Sequence, residues 1–121
     1  MQLRFIDEHN DRGHLLWAEE PMGLALRGET QQAALSKLPA ELTAYRRWLG
    51  LPPVPAVGVI TQEAVSPLNV HDADSDILLP SERRPLTAEE YEARKALALR
   101  SAEDFLTLYR SIPDKTHTTL P

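Results

Sequence analysis

The feature that most constrains the fold of this chain is a change of hydrophobic period at Gly28-Glu29-Thr30. Before this joint, apolar residues alternate with polar ones, as in half-buried strands. After it, apolar residues recur every three or four positions, as on one face of a helix. Gly28 permits a sharp change of direction, and Thr30 is a good N-cap residue. The pattern therefore predicts strands that lead directly into a capped helix.

Four strands are predicted around this joint, and the first three form an antiparallel meander because turn residues separate them. The strands are expected near residues 2–7, 14–19, 23–28 and 56–64. The intervening helical stripe near residues 31–49 contains Pro39, which predicts a kink at residues 36–38 or two short helices that share one face. The expected fold class is α+β, a small βββαβ layered module with a linker and one long C-terminal helix.

The chain after residue 65 changes character. We predict a domain over residues 1–65, a linker or surface arm over 66–85, a long amphipathic helix over 86–112 and a polar tail over 113–121. Thr87 and Glu90 form a capping box at the start of the helix. Its apolar stripe repeats at heptad-like spacing and consists of Tyr91, Ala98, Ala102, Phe105, Tyr109 and Ile112.

Nearly half the circumference of this helix is apolar, more than one small sheet can cover. The candidate interface residues are Phe105, Leu106, Tyr109 and Ile112. Because identical patches pair most simply across a two-fold axis, we expect a homodimer through the C-terminal helix. The competing hypothesis is that the helix folds back onto its own domain through the 66–85 segment.

Composition narrows the functional classes. The 121 residues carry a formal net charge of -5, which argues against a nucleic-acid partner. The chain has no cysteine, so a disulfide framework, a thiolate nucleophile and a cysteine zinc site are all excluded. The charged N-terminus lacks the apolar core of a signal peptide, and no stretch is long enough to span a membrane. We expect a cytoplasmic protein with no membrane partner.

Candidate catalytic and metal-binding residues are few. Asp72, Asp74 and Asp76 alternate as in a calcium loop, but Ile77 and Arg83 occupy the positions that need glycine and glutamate. The four histidines share no ligand spacing along one helix, and we interpret each as a surface or turn residue. They are His9, His14, His71 and His117. The sequence therefore predicts no catalytic residue, no cofactor and no metal site.

Residues 13–49 carry a family resemblance in their turn and helix motifs. The matching residues are Pro21, Gly23, Gly28, Glu29, Thr30, Ala33, Ala34 and Leu35. This stretch resembles the N-terminal domain of HicB-type antitoxins, although Met22 separates Pro21 from Gly23 and Pro39 interrupts the helix. The resemblance implies a reduced RNase H-like fold of order βββαβ that lacks catalytic carboxylates. In this comparison, Pro21, Gly23, Gly28 and Thr30 form the structural turn and cap.

The C-terminal segment from Arg100 looks like the opening helix of a DinB-like four-helix domain. The metal-binding histidines of that fold belong to later helices, so the similarity implies a fragment of a longer protein or a relative without the bundle. The predicted function is a non-catalytic HicB-like protein-interaction domain. Two alternatives stay open at this point: an antitoxin of a type II toxin–antitoxin pair, and the N-terminal part of a DinB-like metal-dependent enzyme.

Overall fold

A computed structural model describes residues 1–116 of the chain. These residues form two compact units, of which the first is Met1–Arg83 and the second begins at Arg84. The predicted α+β class is confirmed. The strands and α-helices, in chain order, are β1 (Gln2–Asn10), β2 (Gly13–Ala18), β3 (Ala25–Gly28), α1 (Gln31–Ser36), α2 (Leu38–Trp48), β4 (Val57–Val65) and α3 (Ala88–Ser111), and two short 3-10 helices, Val70–Asp72 and Pro80–Arg83, lie between β4 and α3.

The four strands form one mixed sheet in the order β3-β2-β1-β4. β1 and β2, and then β2 and β3, pair antiparallel, as expected for a meander with short connections. β4 pairs with β1 in parallel, because the chain crosses over through α1 and α2 before it returns to the sheet. β1 is therefore a central strand with a hydrogen-bonded neighbour on each side.

The main hydrophobic core lies between the helices and one face of this sheet. Phe5 of β1 and Leu16 of β2 are completely buried there against Leu38 and Leu42 of α2. These two leucines lie four positions apart, so one face of α2 packs on the sheet. Tyr45, one turn further on, packs at the edge of the same core. The predicted helical stripe is the face that is buried.

Two short helices, rather than one continuous helix, span the apolar stripe predicted over residues 31–49. α1 ends at Ser36 and α2 begins at Leu38, which places Pro39 in the first turn of α2. A proline there costs little, because the first backbone N–H groups of a helix have no intrahelical acceptor. The second of the two predicted possibilities, two helices that share one face, is therefore what the chain adopts.

Gly28 lies where β3 meets α1, and the close approach leaves no room for a side chain. A Cβ atom at this position would lie 2.5 Å from the backbone nitrogen of Ala34. The obstacle is backbone, so α1 itself would have to move. Thr30 follows as the N-cap of α1, and its Oγ1 accepts a hydrogen bond from the backbone N–H of Ala33 at 3.1 Å.

β1 is longer than the strand predicted at residues 2–7, since it continues through Asn10. Asp7 and Glu8 resemble the start of a turn in sequence, yet both are completely buried within the strand. Buried carboxylates require hydrogen-bond partners. Partners distant in sequence supply them on both faces of the sheet, which is why local sequence places the end of β1 too early.

Residues 66–83, hereafter the arm, lie on the sheet face opposite the helices. Val70 and Leu79 of the arm are buried, as are Ile6 and Leu15, whose side chains point away from the helical layer. The Ser75 hydroxyl donates a hydrogen bond to the Glu8 carboxylate. The arm therefore packs within the first unit, which extends past residue 65 to Arg83.

Candidate functional site

The apolar side of α3 is the largest exposed hydrophobic feature of the second unit. No residue of this helix is buried, and seven large apolar side chains, counting Ile112 at the C-cap, are exposed by between 39% and 68%. We call this set the α3 apolar face: Tyr91, Leu99, Phe105, Leu106, Leu108, Tyr109 and, at the C-cap, Ile112. All four interface residues predicted from sequence belong to it.

Local interactions account for the helical conformation of α3. The Thr87 hydroxyl accepts from the backbone N–H of Glu90, and the Glu90 carboxylate accepts from the backbone N–H of Thr87, which completes the predicted capping box. Two ion pairs follow along the helix, Glu92 with Lys95 at 3.6 Å and Arg100 with Asp104 at 3.8 Å. Such contacts stabilise a helix by only a few tenths of a kcal/mol each, about 0.2–0.5.

Glu90 carries the largest electrostatic perturbation at this helix start. Its carboxylate accepts hydrogen bonds from both terminal nitrogens of Arg84, at 2.6 and 2.9 Å. The Arg84 hydrogen bond, followed by the backbone hydrogen bond from Thr87, lowers the pKa of Glu90 from its ordinary 4.5 to about 2. Glu90 is therefore ionised at neutral pH and complements the positive end of the helix dipole.

The turn residues that carry the family resemblance shape and anchor the connection between β2 and β3. Gly23 adopts a positive φ of 93°, which glycine tolerates without strain, in the connection between β2 and β3. The Tyr45 hydroxyl donates to the carbonyl of Met22 and so holds this connection against α2. Burial, with a contribution from the charge of Glu20, raises the pKa of Tyr45. Pro21 precedes Met22 in the same connection. Pro21 and Gly23 therefore determine the path of the backbone between β2 and β3.

A polar cluster lies on the helical side of the sheet, at the carboxyl ends of β1 and β4. We call it the β1 cluster: Asp7, His9, His14, Gln31 and Glu63. Nδ1 of His14 lies 2.9 Å from Oδ2 of the completely buried Asp7. Nε2 of Gln31 donates to Asp7 at 2.8 Å and to Glu63 at 3.0 Å. The rings of His9 and His14 stack with their centroids 5.0 Å apart.

The sequence did not predict the β1 cluster. His9 and His14 are five residues apart and follow no ligand spacing, but the β1–β2 pairing places them directly opposite each other. Glu63 comes from β4, which joins the sheet only through the helical crossover. The one local signal was the pair Asp7-Glu8 inside an otherwise strand-like stretch.

The acidic run of the arm lacks the geometry of a cation site. Asp72, Asp74 and Asp76 are exposed. Nε2 of His71 lies 3.2 Å from Asp72. Among residues 1–116, the His and carboxylate side chains close enough to share a metal ion are Asp7, His9 and Glu63. His117, the fourth histidine of the sequence, lies outside the described residues.

Three cations lie near the β2–β3 end, and two of them, Arg12 and Arg27, donate hydrogen bonds to the arm. Nη1 of Arg27 donates to the carbonyl of His71 at 2.8 Å, and Nη1 of Arg12 donates to Oδ1 of Asn69 at 2.9 Å. Lys37 donates to the carbonyl of Arg27. These side chains line a cavity of about 260 Å³. Since Arg12 and Arg27 already donate to oxygens of the arm, we interpret these two side chains as groups that hold the arm in place.

None of the helices within residues 1–116 has the length and apolar character needed to cross a membrane. Comparison of the chain with protein-family models, with curated proteins and with solved structures gives no match.

Proposed function

We propose that the chain is a non-catalytic protein-interaction module, in which a HicB-like first unit is joined to a helix that associates with a second copy. The observation that carries this proposal is the α3 apolar face. Its side chains include a phenylalanine exposed by 68%, and no residue of the helix is buried. Burying one such side chain contributes about 1.5–3 kcal/mol, so association has a substantial driving force.

The spacing of the helix favours a second copy as the partner. Tyr91, Ala98, Phe105 and Ile112 recur every seven residues, and Ala102 and Tyr109 continue the 3-4 alternation between them. A seven-residue apolar repeat is the pattern by which helices pair through interlocking side chains. The stripe carries two alanines, Ala98 and Ala102, between the rings of Tyr91 and Phe105, and these small side chains leave space for a projecting side chain of the other copy. Two copies related by a two-fold axis present identical stripes and close the assembly.

The HicB-like interpretation of the first unit is supported by its topology. Three antiparallel strands precede a helical layer, and the fourth strand then joins the sheet beside β1. This is the βββαβ order that the resemblance implies, with the helix divided into α1 and α2. An antitoxin role would be a special case, and a gene for a small basic protein beside this one would favour it.

Light scattering on the whole chain at micromolar concentration tests the proposal. We expect a particle of twice the 13.6 kDa chain mass. A clean monomer over the whole micromolar range would reject self-association through α3.

A pair of charge substitutions on α3 locates the interface. Phe105→Asp places a carboxylate in the apolar face and should convert the dimer to a monomer, because an unpaired charge is costly to bury. Thr107→Asp introduces the same residue two positions away, on the polar side of the helix, and should leave the mass unchanged. If both variants remained dimeric, the interface would lie elsewhere.

A further inference from the structure

The β1 cluster contains a set of metal ligands that converge from two strands. One ligand atom from each of Asp7, His9 and Glu63 lies within 4.8 Å of the other two. Two ligands of a tetrahedral zinc ion, each about 2.0–2.2 Å from the metal, lie about 3.3–3.6 Å apart. The ligand atoms must therefore move closer together on binding, and Glu63, which is exposed at the edge strand, is the side chain with room to move.

A bulge in the sheet creates this convergence. Phe5 pairs with Ile60, but Ile6 pairs with Gln62, so the register shifts by one residue at Thr61. Without the shift, Asp7 would pair with Gln62, a neutral amide. With it, Asp7 pairs with Glu63 and both carboxylates lie on the helical face. Bulges are used in this way to redirect a side chain beside a functional site.

The two carboxylates of the cluster accept hydrogen bonds, but their charge is not balanced by a permanent cation. Within residues 1–116, neither Asp7 nor Glu63 forms an ion pair with lysine or arginine. Nε2 of Gln31, a neutral donor, lies between the two carboxylates. In the part of the chain that the structure describes, the basic partner of Asp7 is His14, which is charged only when protonated. A buried carboxylate beside a second carboxylate is favourable to a divalent cation.

His9 completes the donor set. Its ring stacks on His14, and neither of its ring nitrogens makes a hydrogen bond to another residue of the described chain. A neutral imidazole with a free nitrogen is a ligand for first-row transition metals, whereas carboxylates alone would favour Mg²⁺ or Ca²⁺. The hydrogen bond from His14 to Asp7 is the kind of outer contact that fixes a ligating carboxylate.

We propose that Asp7, His9 and Glu63 bind a divalent transition-metal ion of the Zn²⁺ class, with His14 orienting Asp7. Binding requires the Gln31 side chain to move from its position between the two carboxylates. The site is independent of the α3 apolar face, since all its residues belong to the first unit. Three protein ligands leave at least one coordination position open.

Calorimetric titration of the untagged whole chain with Zn²⁺ tests the proposal. We expect one ion per chain and no comparable heat with Mg²⁺. His9→Ala and Glu63→Gln should each weaken Zn²⁺ binding at least about tenfold, as expected for changes at a ligand. His71→Ala is the matched control, because it removes an exposed histidine on the arm and should leave the affinity unchanged.

Glu63 is exposed, so Glu63→Gln should keep the fold, and the fluorescence-detected melting transition of the metal-free variant verifies this. Absence of Zn²⁺ binding to the unmodified chain would overturn the proposal, as would an affinity that Glu63→Gln and His9→Ala leave unchanged. Light scattering of the metal-free chain reports on α3 separately, so failure of the metal site and failure of self-association are distinguishable.

Discussion

The α1–α2 pair and α3 begin with the same local chemistry and reach different tertiary environments. Thr30 and Thr87 both cap a helix by accepting from the backbone N–H three residues later. After Thr30, the apolar residues Ala34, Leu38 and Leu42 are buried against the sheet. After Thr87, a longer and equally continuous apolar stripe has no buried residue. Helix formation is thus specified locally in both regions, whereas buried apolar residues occur in the α1–α2 pair and not in α3.

This difference indicates where the free energy of each region comes from. The first helical layer is stabilised by burial, which contributes about 25 cal/mol for each Å² of apolar surface. α3 is supported locally by its capping box and by exposed side-chain contacts, and an isolated helix with such support is marginally stable in water. Four experiments test this difference in stabilisation, in order of decreasing expected effect.

Removal of core volume should separate the two regions most clearly. Leu42→Ala deletes a buried side chain of α2 and should reduce the unfolding free energy by about 2–5 kcal/mol. Leu99→Ala on the α3 apolar face should change the same quantity by less than about 0.5 kcal/mol. Urea unfolding followed by tryptophan fluorescence measures it, because Trp17 and Trp48 both lie in the first unit. Equal losses would contradict this difference in stabilisation.

The close approach of β3 and α1 gives the next largest effect. Gly28→Ala forces a methyl group against the backbone of Ala34 and should cost about 1–3 kcal/mol in the same urea experiment. Glu29→Ala, at the adjacent exposed position, is the control and should be close to neutral. A stable Gly28→Ala protein would mean that α1 is free to shift on the sheet.

The two caps should respond differently to loss of the hydroxyl. Thr30→Ala should reduce the unfolding free energy of the first unit by about 1 kcal/mol, and Thr30→Ser should restore it. Thr87→Ala should lower the helical circular dichroism signal without altering the tryptophan-detected transition. A change in that transition with Thr87→Ala would show that the two regions unfold together.

The smallest effect concerns the pH dependence of the α3 start. Because the pKa of Glu90 is lowered in the folded state, its contribution is present above the ordinary value of 4.5 and is lost as the pH falls to about 2. An NMR titration of the Glu90 carboxyl should give a midpoint near that lower value. Arg84→Met should raise the midpoint, since Arg84 provides the largest part of the shift. An unchanged midpoint would remove this ion pair from the description of the helix start.

The sequence predicted the elements whose signals are local. Period two before Gly28, period 3.6 after Thr30 and the capping box at Thr87 placed the helices and most strands within a few residues. Pro39 correctly indicated a break in the helical layer. These features succeed because each depends on residues within one or two turns of the chain.

The features that the sequence did not predict depend on contacts between residues that are distant along the chain. β1 continues past Asp7 because His14 and Gln31 satisfy that carboxylate, and no local pattern encodes this. The bulge at Thr61, which decides whether Gln62 or Glu63 lies beside Asp7, follows from the parallel register of β4. The aperiodic arm likewise gave no indication of which of its side chains cover the sheet. The β1 cluster could therefore not be predicted from the spacing of residues along a single strand or helix.

Hydrogen exchange at two protein concentrations most directly tests whether α3 folds against a second copy while the sheet folds within its own chain. Amides of β1 and β2 should be equally protected at both concentrations. Amides of α3 should be protected at micromolar concentration and exchange rapidly after dilution below the dissociation constant. Protection of α3 that does not change with concentration, in the same samples, would contradict association through this helix.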